Sequence, residues 1–81
     1  MDQSPPCVDT WETTRLYQQH AGKLFDYFYQ HLFNLPDSED LLLEVFLKVW
    51  EHEQSLGNML EQEQRAWLWT VARNKLIDYY L

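Results

Sequence analysis

The segment WLWTVARNKLIDYY, Trp67 to Tyr80, gathers side chains whose types suit one another. It puts Trp67, Trp69, Arg73, Asn74, Lys75 and Tyr79 on one stretch of helical periodicity. Arg73, Asn74 and Lys75 form the densest cationic and amide cluster in the chain. Rings stack on unpaired bases, cations meet phosphates, and an amide pairs with a base edge. The set therefore suits single-stranded nucleic acid. The same residues also read as an ordinary helix, with Trp67, Leu68 and Val71 in a core and Arg73 and Lys75 on a solvated edge.

Other chemistry finds less support. His20, His31 and His52 are scattered, and no two have the short spacing of a zinc site. Cys7 has no visible base partner, so a catalytic thiol is not expected. No glycine-rich phosphate loop is present. The carboxylates cluster at helix starts and on exposed faces, where capping and solubility account for them. The expectation is a protein that is not an enzyme and needs no metal or cofactor.

Composition bounds the rest. With 81 residues, a single domain is expected. Aromatics make up 16% of the chain, enough large side chains to build a core at this size. A net charge of −7 opposes binding to free nucleic acid, although a local basic face survives such a balance. The single cysteine excludes an internal disulfide and fits a reducing compartment. No signal peptide and no membrane-length apolar run is visible, so a cytoplasmic location is expected.

The elements that must position these residues are helices. Residues 1–8, with two adjacent prolines, read as a mobile tail, and residues 9–81 as one helical domain. Asp9 and Glu12 have capping-box spacing, and a helix runs from there to about Phe33. Its stripe is Trp11, Leu16, Tyr17, Ala21, Leu24, Phe25, Phe28 and Leu32. NLPDSED breaks it, with Asp37 or Ser38 as the next cap. A second helix reaches about Glu53 on a stripe of Leu42, Val45, Phe46, Val49 and Trp50. Asn58 and Glu61 offer a further capping box, so a short helical turn precedes the last helix. On that helix Trp67, Leu68, Val71, Ala72, Lys75 and Tyr79 share a broad face. The fold class expected is all-α, a three-helix bundle with a short extra turn.

Two of these segments together resemble a known family. SEDLLLEVFLKVW followed by RAWLWTVARNKLIDYY is similar to region two of bacterial RNA polymerase sigma factors of the sigma-70 family, extracytoplasmic-function (ECF) type. The matching elements are Glu39-Asp40-Leu41, Val45 to Trp50, Trp67-Leu68, Ala72-Arg73-Asn74 and Asp78. The resemblance covers roughly Arg15 to Tyr80, including the first helix.

The resemblance implies two surfaces. One docks on the clamp coiled coil of the largest subunit of core RNA polymerase, with Asp40 and Glu44 on the docking face and Leu41, Leu43, Leu47 and Lys48 as neighbours. The other reads the promoter's minus-ten element and holds its non-template strand open during transcription initiation. There Asn74 would contact the strand, Arg73 and Lys75 would lie near phosphates beside Trp67, and Ser55 to Gln64 would wall a pocket for a flipped base.

Leu41, Leu42 and Leu43 stand side by side, and one helix face cannot bury all three. Leu42 fits the buried stripe. Leu41 and Leu43 would then flank Asp40 and Glu44 at the partner surface, unless Leu43 packs on the first helix. The family usually carries a polar residue where Leu43 stands. Glu51, Glu53, Glu61 and Glu63 place negative charge near the expected strand. The family's second helical domain is not among these residues, so this stretch alone is not expected to read a full promoter. The rival expectation is a protein–protein interaction module that keeps the fold without reading DNA, its surface given to an anti-sigma factor or a second copy.

Overall fold

The computed structural model describes residues 11–81. The tail at 1–8 and the cap at Asp9 lie outside the described residues. Four helices follow in order: α1 (Trp11–Leu32), α2 (Leu35–Glu51), α3 (Glu53–Gly57) and α4 (Glu61–Tyr80). The three long ones pack as an all-α bundle, and α3 is the short extra turn.

The α1–α2 connection is tighter than the sequence suggests. Phe33 ends α1 in the left-handed region, at φ 50°, with its N–H donating to the Tyr29 carbonyl at 2.8 Å. That backbone closure suits glycine better than a bulky residue. Asn34 then caps α2, its side-chain oxygen accepting from the Asp37 N–H at 2.9 Å. The expected caps, Asp37 and Ser38, lie inside the helix instead. Pro36 falls within the first turn, where the missing N–H costs nothing because no intrahelical partner exists. Ser38 is fully buried, and its hydroxyl donates to the Asn34 carbonyl at 2.7 Å.

Ser38 rotates the reading of α2. The buried positions are Ser38, Leu41, Val45, Phe46 and Val49. Leu41 is 5% exposed and belongs to the core, not to a partner surface. Leu42 is half-buried at the edge of the stripe, and Trp50, expected inside, is 54% exposed.

The core joins Leu16, Leu24 and Phe28 of α1 to the α2 stripe and to Leu68, Ala72 and Leu76 of α4. Leu56 of α3 closes one end. Each fully buried leucine or phenylalanine contributes about 1.5–3 kcal/mol. On α4 the buried set Gln64, Leu68, Ala72 and Leu76 repeats every four residues, a narrower strip than the broad face expected.

Polar contacts hold α3 in place. The Thr13 N–H and hydroxyl both donate to Glu53 Oε2, at 2.7 and 2.6 Å. Gln64 donates to the Leu56 carbonyl at 2.6 Å and accepts from Arg15 at 2.9 Å. Glu63 reaches back to accept from the Leu60 N–H at 3.0 Å, one half of a capping box. Asn58 ends α3 instead of starting α4. At the far end of α4, the Tyr79 hydroxyl donates to Asp37 and the Tyr80 hydroxyl to the His31 carbonyl.

Candidate polymerase and nucleic-acid interfaces

The sequence of α2 puts Asp40, Leu43, Glu44 and Leu47 at intervals of three and four, opposite the buried stripe. All four are exposed, Leu43 by 62% and Leu47 by 57%. Lys48 is exposed beside them and lies 3.8 Å from Glu51. Among the expected polymerase-facing residues, only Leu41 is withdrawn from this face, because the turn to Ser38 takes it inward. Leu43 also lines a shallow apolar groove with Tyr17, Ala21, Gly22, Phe25 and Leu42. The face therefore mixes two exposed leucines with two carboxylates, a composition that suits an amphipathic partner with basic side chains.

The α4 cluster does not hold together as one patch. The buried strip at Leu68, Ala72 and Leu76 divides the helix into two flanks. On the α2 side lie Trp67, half-buried with its ring 5.5 Å from His52, and Lys75, whose ammonium is 3.5 Å from Glu44. Asn74 is exposed on the outward side of α4 between the two flanks, and its side chain makes no hydrogen bond among the described residues. Arg73 points away, exposed, on the side of α1 with Trp69 and Arg65. Of the four expected DNA-facing residues, Trp67 and Lys75 lie on the α2 side, Arg73 on the α1 side, and Asn74 between the two flanks.

The expected pocket wall, Ser55 to Gln64, keeps most of its side chains exposed, although two join the fold. Leu56 and Gln64 are buried in it. Ser55, Gly57 and Asn58 line an open cavity of about 700 Å³ with Glu12, Glu51 and Glu53. Three carboxylates there disfavour phosphate, although the Glu53 carboxylate is already engaged by Thr13.

Among the described residues, two titrate away from their ordinary range. Burial, then the nearby cations of Arg65, Lys23 and Arg15, lower the pKa of His20. The hydrogen bond to Asp37 raises that of Tyr79. Among the described residues, no three His, Cys, Asp or Glu side chains converge as metal ligands. No helix there is long and apolar enough to cross a membrane.

Sequence reasoning did not single out Arg65, Lys23 or Tyr27, and it set His20 aside as a scattered histidine. The signal was present in the four-residue recurrence of Arg65, Trp69 and Arg73, but it becomes visible only when α1 is seen alongside.

Comparison with known proteins agrees with this architecture. Residues 16–81 match the family described as Sigma-70 region 2. The ECF RNA polymerase sigma factor SigL of Mycobacterium tuberculosis, from three strains, is 38% identical over 63 residues. That alignment covers 78% of this chain and 35% of SigL, so the chain spans about a third of the length of the curated relatives it matches. No solved structure matches the chain.

Proposed function

The chain belongs to the sigma-70 region 2 family, of the ECF type, and we propose that it docks on core RNA polymerase and holds the melted minus-ten strand of a promoter. Polymerase supplies the catalysis; this domain supplies position and sequence choice. The observation that carries the reading is the outward face of α2, where Asp40, Leu43, Glu44 and Leu47 stand exposed on one rigid helix. The occupant it fits is the clamp coiled coil of the largest subunit.

On α4, Asn74 supplies an exposed amide with no partner among the described residues, two turns from Trp67 and adjacent in sequence to Lys75. That trio would meet the non-template strand. A net charge of −7 makes contact with isolated duplex weak at physiological salt. Docking first would raise the effective concentration of the strand at α4. Asn74→Ala tests this: promoter opening by the reconstituted polymerase should fall while polymerase binding stays unchanged. Unimpaired opening in that variant would remove the strand-reading role.

A second reading keeps the fold as an interaction module. The exposed Leu43 and its apolar groove favour it, since a helix from an anti-sigma factor would cover both. Under that reading Asn74→Ala changes nothing, and Leu43→Lys abolishes partner capture.

A further inference from the structure

Six Lys and Arg side chains serve the whole chain. Among the described residues three are paired: Arg15 with Glu12 and Glu61, Lys48 with Glu51, and Lys75 with Glu44. The other three, Lys23, Arg65 and Arg73, form no ion pair with a described carboxylate, and all three lie along the seam between α1 and α4.

Several contacts define this seam. His20 and Gln19 of α1 line a polar cavity of about 370 Å³ with Arg65 and Glu61 of α4. One turn further, Tyr27 packs edge-on against Trp69, with ring centroids 5.3 Å apart. Beyond that, Tyr80 reaches the His31 carbonyl. Arg65, Trp69 and Arg73 recur every four residues on α4, which stacks them on one side over about 12 Å. Lys23 lies between His20 and Tyr27 on the facing stripe of α1. The field at His20 reports the same charge, since Arg65, Lys23 and Arg15 all oppose its protonation. The acid at this end, Glu61, lies 3.7 Å from Arg15.

Cations without an ion pair among the described residues, with half-buried rings between them in an otherwise acidic chain, are complementary to a single strand of nucleic acid. Phosphates meet the cations, and a base finds ring surface that no duplex would offer it. We infer that the α1–α4 seam is a second binding track for single-stranded DNA, with Lys23, Arg65 and Arg73 on phosphates and Trp69 and Tyr27 as the stacking surface. The inference rests on the strand reading above and extends it past Asn74 to the flank of α4 opposite Lys75. The bound strand would leave Asn74 and pass over Arg73 towards Arg65.

The test is fluorescence anisotropy of labelled oligodeoxythymidine at a series of low salt concentrations. Unlabelled oligodeoxythymidine and polyglutamate serve as competitors. Lys23→Gln and Arg65→Gln are compared with Asn74→Ala and Lys75→Gln, all checked for helicity. Binding should be saturable, and each of the first two variants should reduce the salt slope of log affinity by about 0.7. Unchanged slopes in both, no saturable binding, or displacement by polyglutamate as readily as by oligodeoxythymidine would overturn the track. Loss in Asn74→Ala and Lys75→Gln alone removes the track and leaves the promoter reading intact. Loss in Lys23→Gln and Arg65→Gln alone supports the track and counts against Asn74.

Discussion

The Lys75 ammonium lies 3.5 Å from the Glu44 carboxylate. One residue proposed for a phosphate and one proposed for a polymerase surface are therefore partners of each other. A basic side chain arriving at Glu44 competes for that carboxylate and frees Lys75. The pair is partly exposed and screened, so such pairs are worth only about 0.2–1 kcal/mol. Glu44→Gln should accordingly raise affinity for a single-stranded minus-ten oligonucleotide by about 1.4- to 5-fold, matching that energy range. The same substitution in a Lys75→Gln background should have no such effect. An equal gain in both backgrounds would show that removal of negative charge alone is responsible.

Leu41 and Leu43 separate packing from docking. Leu41→Ala removes a core side chain and should cost about 2–5 kcal/mol in urea unfolding. Leu43→Ala should stay within about 0.5 kcal/mol of the parent. If Leu43→Ala proved as destabilising as Leu41→Ala, the assigned rotation of α2 would be wrong.

Gln64 is the buried polar group on which α3, α4 and α1 converge. Gln64→Ala removes one of two donors to the Leu56 carbonyl, the Met59 N–H at 3.0 Å remaining, and should cost about 0.5–1.5 kcal/mol. The loss should appear as an earlier urea midpoint with an unchanged slope. A midpoint equal to the parent's would mean that the Met59 N–H suffices for the carbonyl and that Gln64 adds nothing to the junction.

Asn34 is the cap that sequence reading placed at Asp37 or Ser38. Asn34→Ala should destabilise by about 0.5–2 kcal/mol, and Asn34→Asp should restore most of that. Thermal melts of the two variants decide it. Equal melting temperatures would contradict the cap.

His20 gives a pH dependence with a definite sign. Its folded pKa lies below the ordinary histidine value of 6.5, chiefly through burial and then through Arg65, Lys23 and Arg15, with Glu61 opposing. The unfolded chain therefore binds the proton more tightly. Stability from this group is full above pH 6.5 and declines as pH falls through that value towards the folded pKa. His20→Gln should flatten the melting-temperature profile over that window. A profile identical to the parent's would mean that other groups set the slope.

The helices and their order were legible because apolar spacing of three and four persists over many residues in each. The rotation of α2 was not. Leu41, Leu42 and Leu43 stand about 100° apart on a helix, so adjacent leucines compete for the same face. What decides between them is Ser38, a polar residue that enters the core by bonding the Asn34 carbonyl. Caps were misplaced for a related reason, since Phe33 closes α1 in a conformation its side chain does not advertise. Asp40, Glu44 and Leu47 were legible as a surface because they oppose the buried stripe whichever leucine fills it. The division of Arg73 from Lys75 was not legible. It depends on which neighbour each flank of α4 meets, and neither α1 nor Glu44 is close in sequence.

The central claim is tested most directly by binding of this domain to the isolated clamp coiled coil of bacterial RNA polymerase, with Asp40→Ala and Glu44→Ala alongside. The account predicts saturable binding that weakens in both variants while their helicity and melting temperature stay at parent values. Absence of binding, or binding indifferent to both substitutions, would contradict it and turn the exposed face of α2 over to a different partner.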